Sequence, residues 1–515
     1  MAAVLATTIL ATAGASAEEV TLRAKNGSTA ISGQLVAHDD ESYTLETRFG
    51  TMRIESAKVV CEGEACPSTG AGGLIVVAGS ETLGTALMPL LLEGFAGQQS
   101  GIAEVTPEPG LGAVVASLTA DSGYGDRIGE FAVYSSSSTD GFVGLLDREA
   151  EIGMSSRRIT PREARALRGD GGGNMIDVRQ ERVVAVDSIV VVVHPSNPVD
   201  RIAMADLDRV YAGQITNWAE LGGPNAPIRA IGRGEDTGTG RVFDEKVFAQ
   251  SGRTRAADIE ILRSNQAVTS AVAGAPYAIG YVGQAYKRGT KALALTGTCN
   301  ITAFPDTFSA KTEEYPLDRR LYLYSRADTL SDTGEAFLDF AASGEADGVI
   351  AKAGFIDLGV ARMPQDDPNG RMRDLIENTT DPYEFGLMRD LLVEMLQFDR
   401  LSTTFRFASG SSTLDGKGLV DLERLVSYLE DQPEGTRVAL VGFTDSDGAF
   451  EANQQLSLFR ARQVARTIEE TMGDRIAHID FDVRGFGEFS PTACNDSLDG
   501  KRINRRVEVW IAKQA

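Results

Sequence analysis

Three short stretches of this chain combine small hydroxyl residues with glycine at points where a helix would begin: Ala78-Gly79-Ser80-Glu81-Thr82-Leu83, Ser135-Ser136-Ser137-Ser138-Thr139-Asp140-Gly141 and Arg233-Gly234-Glu235-Asp236-Thr237-Gly238-Thr239-Gly240. A helix N-terminus presents unpaired N–H groups and a partial positive charge, so three of them converging on one cleft would cradle an oxyanion. Their hydroxyls add donors, and Arg233 adds a planar fork matched to tetrahedral oxygens. Any one of these turns taken alone reads as ordinary N-capping; only the three together suggest a site.

The elements that must position the turns follow from hydrophobic patterning. From Leu74 to Gly359 short apolar strands alternate with amphipathic helices, the grammar of an α/β domain. Leu74 to Ala78 is the first strand, leading through the first turn to a helix near Leu83 to Phe95, and Ile189 to Val193 reads as a buried strand. Ahead of it, residues 18–67 alternate in strand fashion between turns at Asn26-Gly27, Asp39-Asp40 and Phe49-Gly50, which predicts a small β-barrel or β-meander. Pro67 to Gly73 is a flexible linker. Beyond the α/β domain, residues 360–400 read as a linker and a connecting helix with Leu387, Leu391, Leu392 and Met395. Residues 401–515 form an α+β domain: the strand Val438 to Phe443 delivers Asp445 to a loop, and Glu451 to Met472 is a helix with Leu456, Val464 and Ile468 as its inward stripe.

Composition narrows the partners. A chain of 515 residues with 42% apolar content holds several cores. Fifty basic against 73 acidic side chains, a net charge of −23, argue against nucleic acid or an anionic membrane surface. Residues 1–17 carry no charge and run into Ala15-Ser16-Ala17 ahead of Glu18, which reads as a secretory signal peptide. The basic segment that opens such signals is missing, Arg23 being the first positive charge, which fits a start codon further upstream. Cysteines in an exported chain favour disulfides: Cys61 and Cys66 enclose only Glu62-Gly63-Glu64-Ala65 and are expected to form a local bridge, whereas Cys299 and Cys494 either pair across domains or stay free. His38, His194 and His478 are scattered, so neither a metal site nor a cofactor is expected.

Near the C-terminus, Gly442-Phe443-Thr444-Asp445, Asn453, Leu456-Ser457, Arg460-Ala461 and Asn504-Arg505-Arg506-Val507-Glu508-Val509 occur in the order of an OmpA-type peptidoglycan-binding domain, which residues 401–515 resemble. The resemblance implies that Asp445 takes the ammonium and Arg460 the carboxylate of diaminopimelate in the peptide stem, with Asn453 and Arg505 at the same site. It also implies a periplasmic, wall-associated protein, near the outer membrane.

The α/β domain has its own resemblance. Glu149 to Arg157, Val210 to Trp218, Leu221-Gly222-Gly223 and Ala278 to Val282 are similar, in order, to segments of the periplasmic phosphate-binding proteins. This implies a two-lobed type II periplasmic binding fold over residues 74–359, closing on phosphate, with an ABC transporter permease as a further partner. Thr82 and Leu83, after Ser80, match the first contact turn, and Ser138 and Thr139 the second. Arg233, Thr237, Gly238 and Thr239 match Arg-x-x-x-Ser-Gly-Thr, with Thr237 in the serine place. Where the enteric phosphate binders carry an aspartate that accepts the ligand's proton, this chain reads Ser155-Ser156-Arg157, with Ser156 as the expected contact. A carboxylate for that task must then come from elsewhere, Asp140 ranking ahead of Glu81, Glu235 and Asp236.

Two other classes stay open. A phosphatase could use the serine-rich turn as nucleophile, although no histidine or metal cluster lies near it in sequence. A binding fold that has lost its ligand could serve as a wall-anchored structural or signalling protein, which co-purified phosphate would argue against.

Overall fold

The computed structural model describes residues 19–24, 29–39, 42–48, 50–55, 58–62, 73–108, 113–121, 127–365, 371–378, 382–407 and 416–513. The signal-peptide reading of residues 1–17 and the expected partner of Cys61, Cys66, lie outside the described residues. Contacts divide the chain into two units, Met1–Gly73 and Leu74–Ala515.

In the first unit, Glu19–Ala24, Ala30–Asp39, Ser42–Thr47 and Gly50–Glu55 form an antiparallel meander, and Val59–Glu62 joins its open side against the first strand. Alternation decides which residues face inward: Val20 and Leu22 meet Tyr43 and Leu45 in a small core. The fifth strand lies within the stretch, residues 18–67, that the sequence pattern assigned to strands.

The second unit begins with a mixed sheet that runs through two lobes. In lobe one, Leu74–Ser80 lies parallel to Arg127–Ser136 and Ile152–Ser155. In lobe two, Arg229–Arg233 lies parallel to Ala278–Gly283. One long strand, Glu181–Val193, joins them: its first half pairs with Asp318–Ser325 and its second half with Ala278–Gly283. It is buried almost throughout, which explains its unbroken apolar run. Lobe one packs around Phe95, Phe131 and Phe337, and lobe two around Trp218, Phe243 and Tyr281. The helix expected near Leu83 to Phe95 is two helices, Glu81–Gly84 and Met88–Gln98, the second opening with a proline in its first turn.

The remainder forms a five-stranded sheet in the order Arg362–Pro364, Phe398–Arg406, Arg506–Ala512, Thr436–Phe443, Ile479–Gly485. Thr436–Phe443 and Ile479–Gly485 are parallel, and the helix Phe450–Met472 makes the crossover between them. Helices Gly416–Glu430 and Phe450–Met472 cover one face with Leu425, Val464 and Ile468. The connecting helix Pro382–Gln397 covers the other, inserting Leu391 and Met395 beside Trp510. Leu456 corrects the expected stripe: it is 40% exposed, because the buried face runs through Ser457, Arg460, Ala461, Val464 and Ile468, and Leu456 lies a residue, about 100°, off that line.

Cys299 and Cys494 are disulfide-bonded, with Cα atoms 5.6 Å apart, so of the two readings left open the pairing across domains holds. Buried charges reinforce the same junction. Glu314 of lobe two accepts from Arg400 at 2.6 and 3.1 Å, and Glu313 lies 3.6 Å from Arg406. Behind them Glu508 pairs with Arg371, Arg400 and Arg506. Burial alone would raise the Glu508 carboxyl, but these three guanidinium groups more than offset it and hold it well below the usual carboxylate range. Burial pulls Arg506 down to about 10, partly countered by Glu508. No helix among the described residues is long and apolar enough to cross a membrane.

Candidate functional site

The three hydroxyl turns do converge. Ser80 ends the strand Leu74–Ser80, Ser138 opens the helix Ser138–Leu146, and Ser156 follows the strand Ile152–Ser155, so parallel neighbours deliver three serines to one rim of lobe one. Ser80 Oγ donates to Ser156 Oγ at 3.1 Å, Ser138 and Ser156 hydroxyls lie 3.3 Å apart, and the Ser156 N–H donates to Ser138 Oγ at 3.1 Å. Gly79, at φ +131°, lets this strand end pass against Met154, whose carbonyl oxygen would lie 2.2 Å from an added Cβ.

Lobe two closes on this rim. Gly238 opens the helix Gly238–Val247, and a Cβ there would lie 2.0 Å from Ser156 Oγ and 2.6 Å from Ser138 Oγ. Arg233, at the end of its strand, is 2% exposed. Its Nη2 donates to Glu81 Oε2 of lobe one at 3.3 Å, while Nε and Nη1 are buried with no hydrogen-bond partner among the described residues. Burial lowers this guanidinium's pKa, with Glu81 acting in the opposite sense. Asn265 also donates to Glu81 Oε2, at 3.2 Å. A fork with two unmet donors beside a helix N-terminus and three hydroxyls is the chemistry of a small oxyanion site.

Behind the cleft, Arg319 donates to Asp187 Oδ2 at 2.9 and 2.6 Å and to Thr239 Oγ1 at 2.8 Å, all fully buried. This pair spans the two hinge strands and fixes Thr239. Tyr286 of lobe two donates to the Thr82 carbonyl at 3.2 Å.

A second charged cluster lies at the end of the strand Thr436–Phe443. Asp445 accepts from Arg505 at 2.6 Å. Arg460 is 3% exposed, its guanidinium 5.6 Å from the Phe407 ring centre, and its Nη1 has no partner among the described residues. Burial lowers its pKa, and the neighbouring Arg505 adds to that. Gly442 brings the strand against the helix, since a Cβ there would sit 2.0 Å from the Ser457 carbonyl oxygen. Asn453 donates to Glu488 at 2.7 Å.

Residues 64–345, more than half of the chain, match the family model described as a PBP superfamily domain. The chain belongs to the PBP superfamily. Residues 406–505 match the OmpA family. The chain is 24% identical over 233 residues to the phosphate-binding protein PstS of Borreliella burgdorferi, covering 43% of this chain and 77% of that one. It is 36% identical over 106 residues to the protein YiaD of Escherichia coli, which is 21% of this chain and about half, 47%, of that one. Among solved structures, an ABC-type phosphate transport receptor from Vibrio cholerae covers 55% of this chain and 99% of its own length, with a TM-score of 0.41 and 24% identity.

Within the PBP domain the expected residues divide by what their side chains do. Ser80, Ser138, Ser156, Arg233 and Gly238 come together at the rim. Thr237 does not offer its hydroxyl: it caps its helix, accepting from the Gly240 N–H at 3.0 Å and donating to the Gly234 carbonyl at 2.7 Å. Thr139 Oγ1 accepts from Arg157, which is itself forked onto Glu163. Leu83 is fully buried in lobe one, which leaves only its backbone toward the turn. Asp140, ranked first among the acids, is taken by a capping box in which its Oδ2 accepts from the Ser137 N–H at 3.1 Å. Glu81 is the acid that meets Arg233. Asn265 and the Arg319–Asp187 pair were missed, although charged residues inside apolar strands were a usable signal. In the OmpA-family domain, Asp445, Arg460 and Arg505 are neighbours, and Asn453 turns to Glu488.

Proposed function

We propose that the PBP domain captures phosphate, or a closely related oxyanion, in the periplasm, and that the OmpA-family domain holds the protein to peptidoglycan through Asp445 and Arg460. The observation that carries the first half is Arg233: a guanidinium this deeply buried with two unmet donors is costly unless an anion completes it. Ser80, Ser138, Ser156 and the N–H groups at Gly238 supply the remaining donors, Thr239 stiffens the turn, and Thr82 and Leu83 contribute backbone. Glu81 takes the role expected of Asp140. Both of its side-chain bonds fall on Oε2, and Oε1 accepts from no described residue, so a carboxylate oxygen is available to an O–H that protonated phosphate has and sulfate lacks.

The wall half rests on Asp445 and Arg460 as fixed opposite charges suited to a zwitterionic centre, with the unmet Nη1 of Arg460 available to a carboxylate. Binding without turnover fits best: the cradle serines bond one another, with no base among their hydrogen-bond partners in the described residues, and the relative from Borreliella burgdorferi is named a phosphate-binding protein. An ABC permease is the partner such a protein would serve. Titration calorimetry of the full chain with phosphate and with sulfate tests the reading, and absence of heat with phosphate sinks it.

A further inference from the structure

The OmpA-family domain touches both lobes, by contacts of unequal strength. Its hold on lobe two is covalent and multiple: the Cys299–Cys494 bond, Arg400 on Glu314, and Asp496 accepting from Thr298 and Gln250. Among the described residues, its polar hold on lobe one is concentrated in a single side chain. Arg424, on the helix Gly416–Glu430, donates to Asp347 Oδ1 and Oδ2 at 2.8 and 2.6 Å and to the carbonyls of Ala342 and Ser343 at 3.0 Å each. These acceptors sit where the helix Asp332–Ala342 gives way to Asp347–Lys352, both packed into the lobe-one core. Val420 of the same helix adds an apolar contact to lobe one.

A body joined to both halves of a hinged clamshell limits their rotation until one joint yields, and the weaker joint yields first. We propose that Arg424 is a latch: the OmpA-family domain travels with lobe two, and opening of the cleft breaks the fork between Arg424 and lobe one. Ligand exchange is thereby governed by the wall-binding domain as well as by the cleft. The inference holds for whatever ligand the cleft takes.

Spin labels on Arg165→Cys, exposed on lobe one, and Thr254→Cys, exposed on lobe two, in the otherwise intact full chain report the spacing of the lobes without any ligand. Arg424→Ala should add a population at longer distance that the native latch suppresses. Asp347→Asn should do so in part, and the exchanged pair Arg424→Asp with Asp347→Arg should remove most of it. Release of bound phosphate, followed by stopped flow, should quicken at least about tenfold in Arg424→Ala, since hydrogen bonds to charged groups are lost on one side of the equilibrium. Peptidoglycan co-sedimentation and far-ultraviolet circular dichroism should not change. Identical distance distributions in the native chain, Arg424→Ala and Asp347→Asn overturn the latch. Absence of phosphate binding would overturn the ligand assignment and leave the distance measurement to decide this proposal on its own.

Discussion

Glu81 and Arg233 meet across the cleft at 3.3 Å, one from each lobe. The carboxylate stands beside an arginine that still has two donors to give, so a ligand must satisfy both an acceptor-only acid and a donor-only base. A singly protonated tetrahedral anion does so, and a fully deprotonated one does not.

Replacing the acid should therefore relax selectivity. Phosphate is expected to bind the native chain with a Kd of about 1 μM, or about −8 kcal/mol. Glu81→Gln, whose amide can donate, should raise the affinity for sulfate relative to phosphate by about tenfold or more, about 1.4 kcal/mol. Asp140→Asn should leave the ratio unchanged, because that carboxylate is engaged in its own helix cap. Calorimetry with both anions measures the ratio directly.

Gly238→Ala should block the cleft with little harm to the fold. Its Cβ would meet Ser156 Oγ, which Ser80 and Ser138 hold in place. Overpacking of this kind costs about 1–3 kcal/mol, and here it falls where the ligand would sit. A drop of at least about tenfold in phosphate affinity with a small change in thermal midpoint is the expected pattern. Native affinity in this variant would place the anion elsewhere.

For the wall, Asp445→Ala and Arg460→Ala should each abolish co-sedimentation with purified peptidoglycan. Asp445→Ala removes the acceptor for the ammonium and leaves Arg505 without its partner, and Arg460→Ala removes the cation for the carboxylate, each at roughly 2–5 kcal/mol if the lost charge pair is buried. Arg209→Ala, an exposed arginine of lobe two paired with Asp206, serves as the control and should sediment normally.

The Glu508 cluster makes a stability prediction. Glu508→Gln leaves Arg371, Arg400 and Arg506 without their shared counter-charge and should destabilise the terminal domain by about 3–5 kcal/mol. Because the folded-state pKa of Glu508 is depressed, its contribution is fully present above the unfolded value of about 4.3 and is lost as pH falls through the lower folded value. The native chain should keep its near-ultraviolet dichroism at pH 4, and Glu508→Gln should be the less stable of the two at every pH above that.

What could be read from the chain was mostly what local chemistry decides. Hydroxyl and glycine at a strand end announced helix N-termini, and the motif order announced both domains. Which hydroxyl points into the cleft was decided by a competition invisible in one dimension: Thr237 and Thr239 are equivalent by type, but one caps its helix and the other is held by Arg319. Glu81 was named but ranked below Asp140 for another reason, since its partners Arg233 and Asn265 are 152 and 184 residues away and only the fold brings them near. Asp140 misled because closeness in sequence to Ser138 is also what a capping box requires. Leu456 shows the smallest error, one position of helical phase.

The cystine has a consequence for making the protein. It joins residues 195 apart and so can form only after the PBP and OmpA-family domains have both been synthesised and docked. Closing so long a loop removes much freedom from the unfolded chain, about 5 kcal/mol in the chain-entropy picture. Material produced in a reducing compartment would lack that constraint and would rely on the ion pairs, hydrogen bonds and apolar contacts of the junction to keep its halves in register. Preparations from bacterial cytosol and from an oxidising export route should therefore differ in their response to salt, and only the latter should be used to judge how the two domains influence each other.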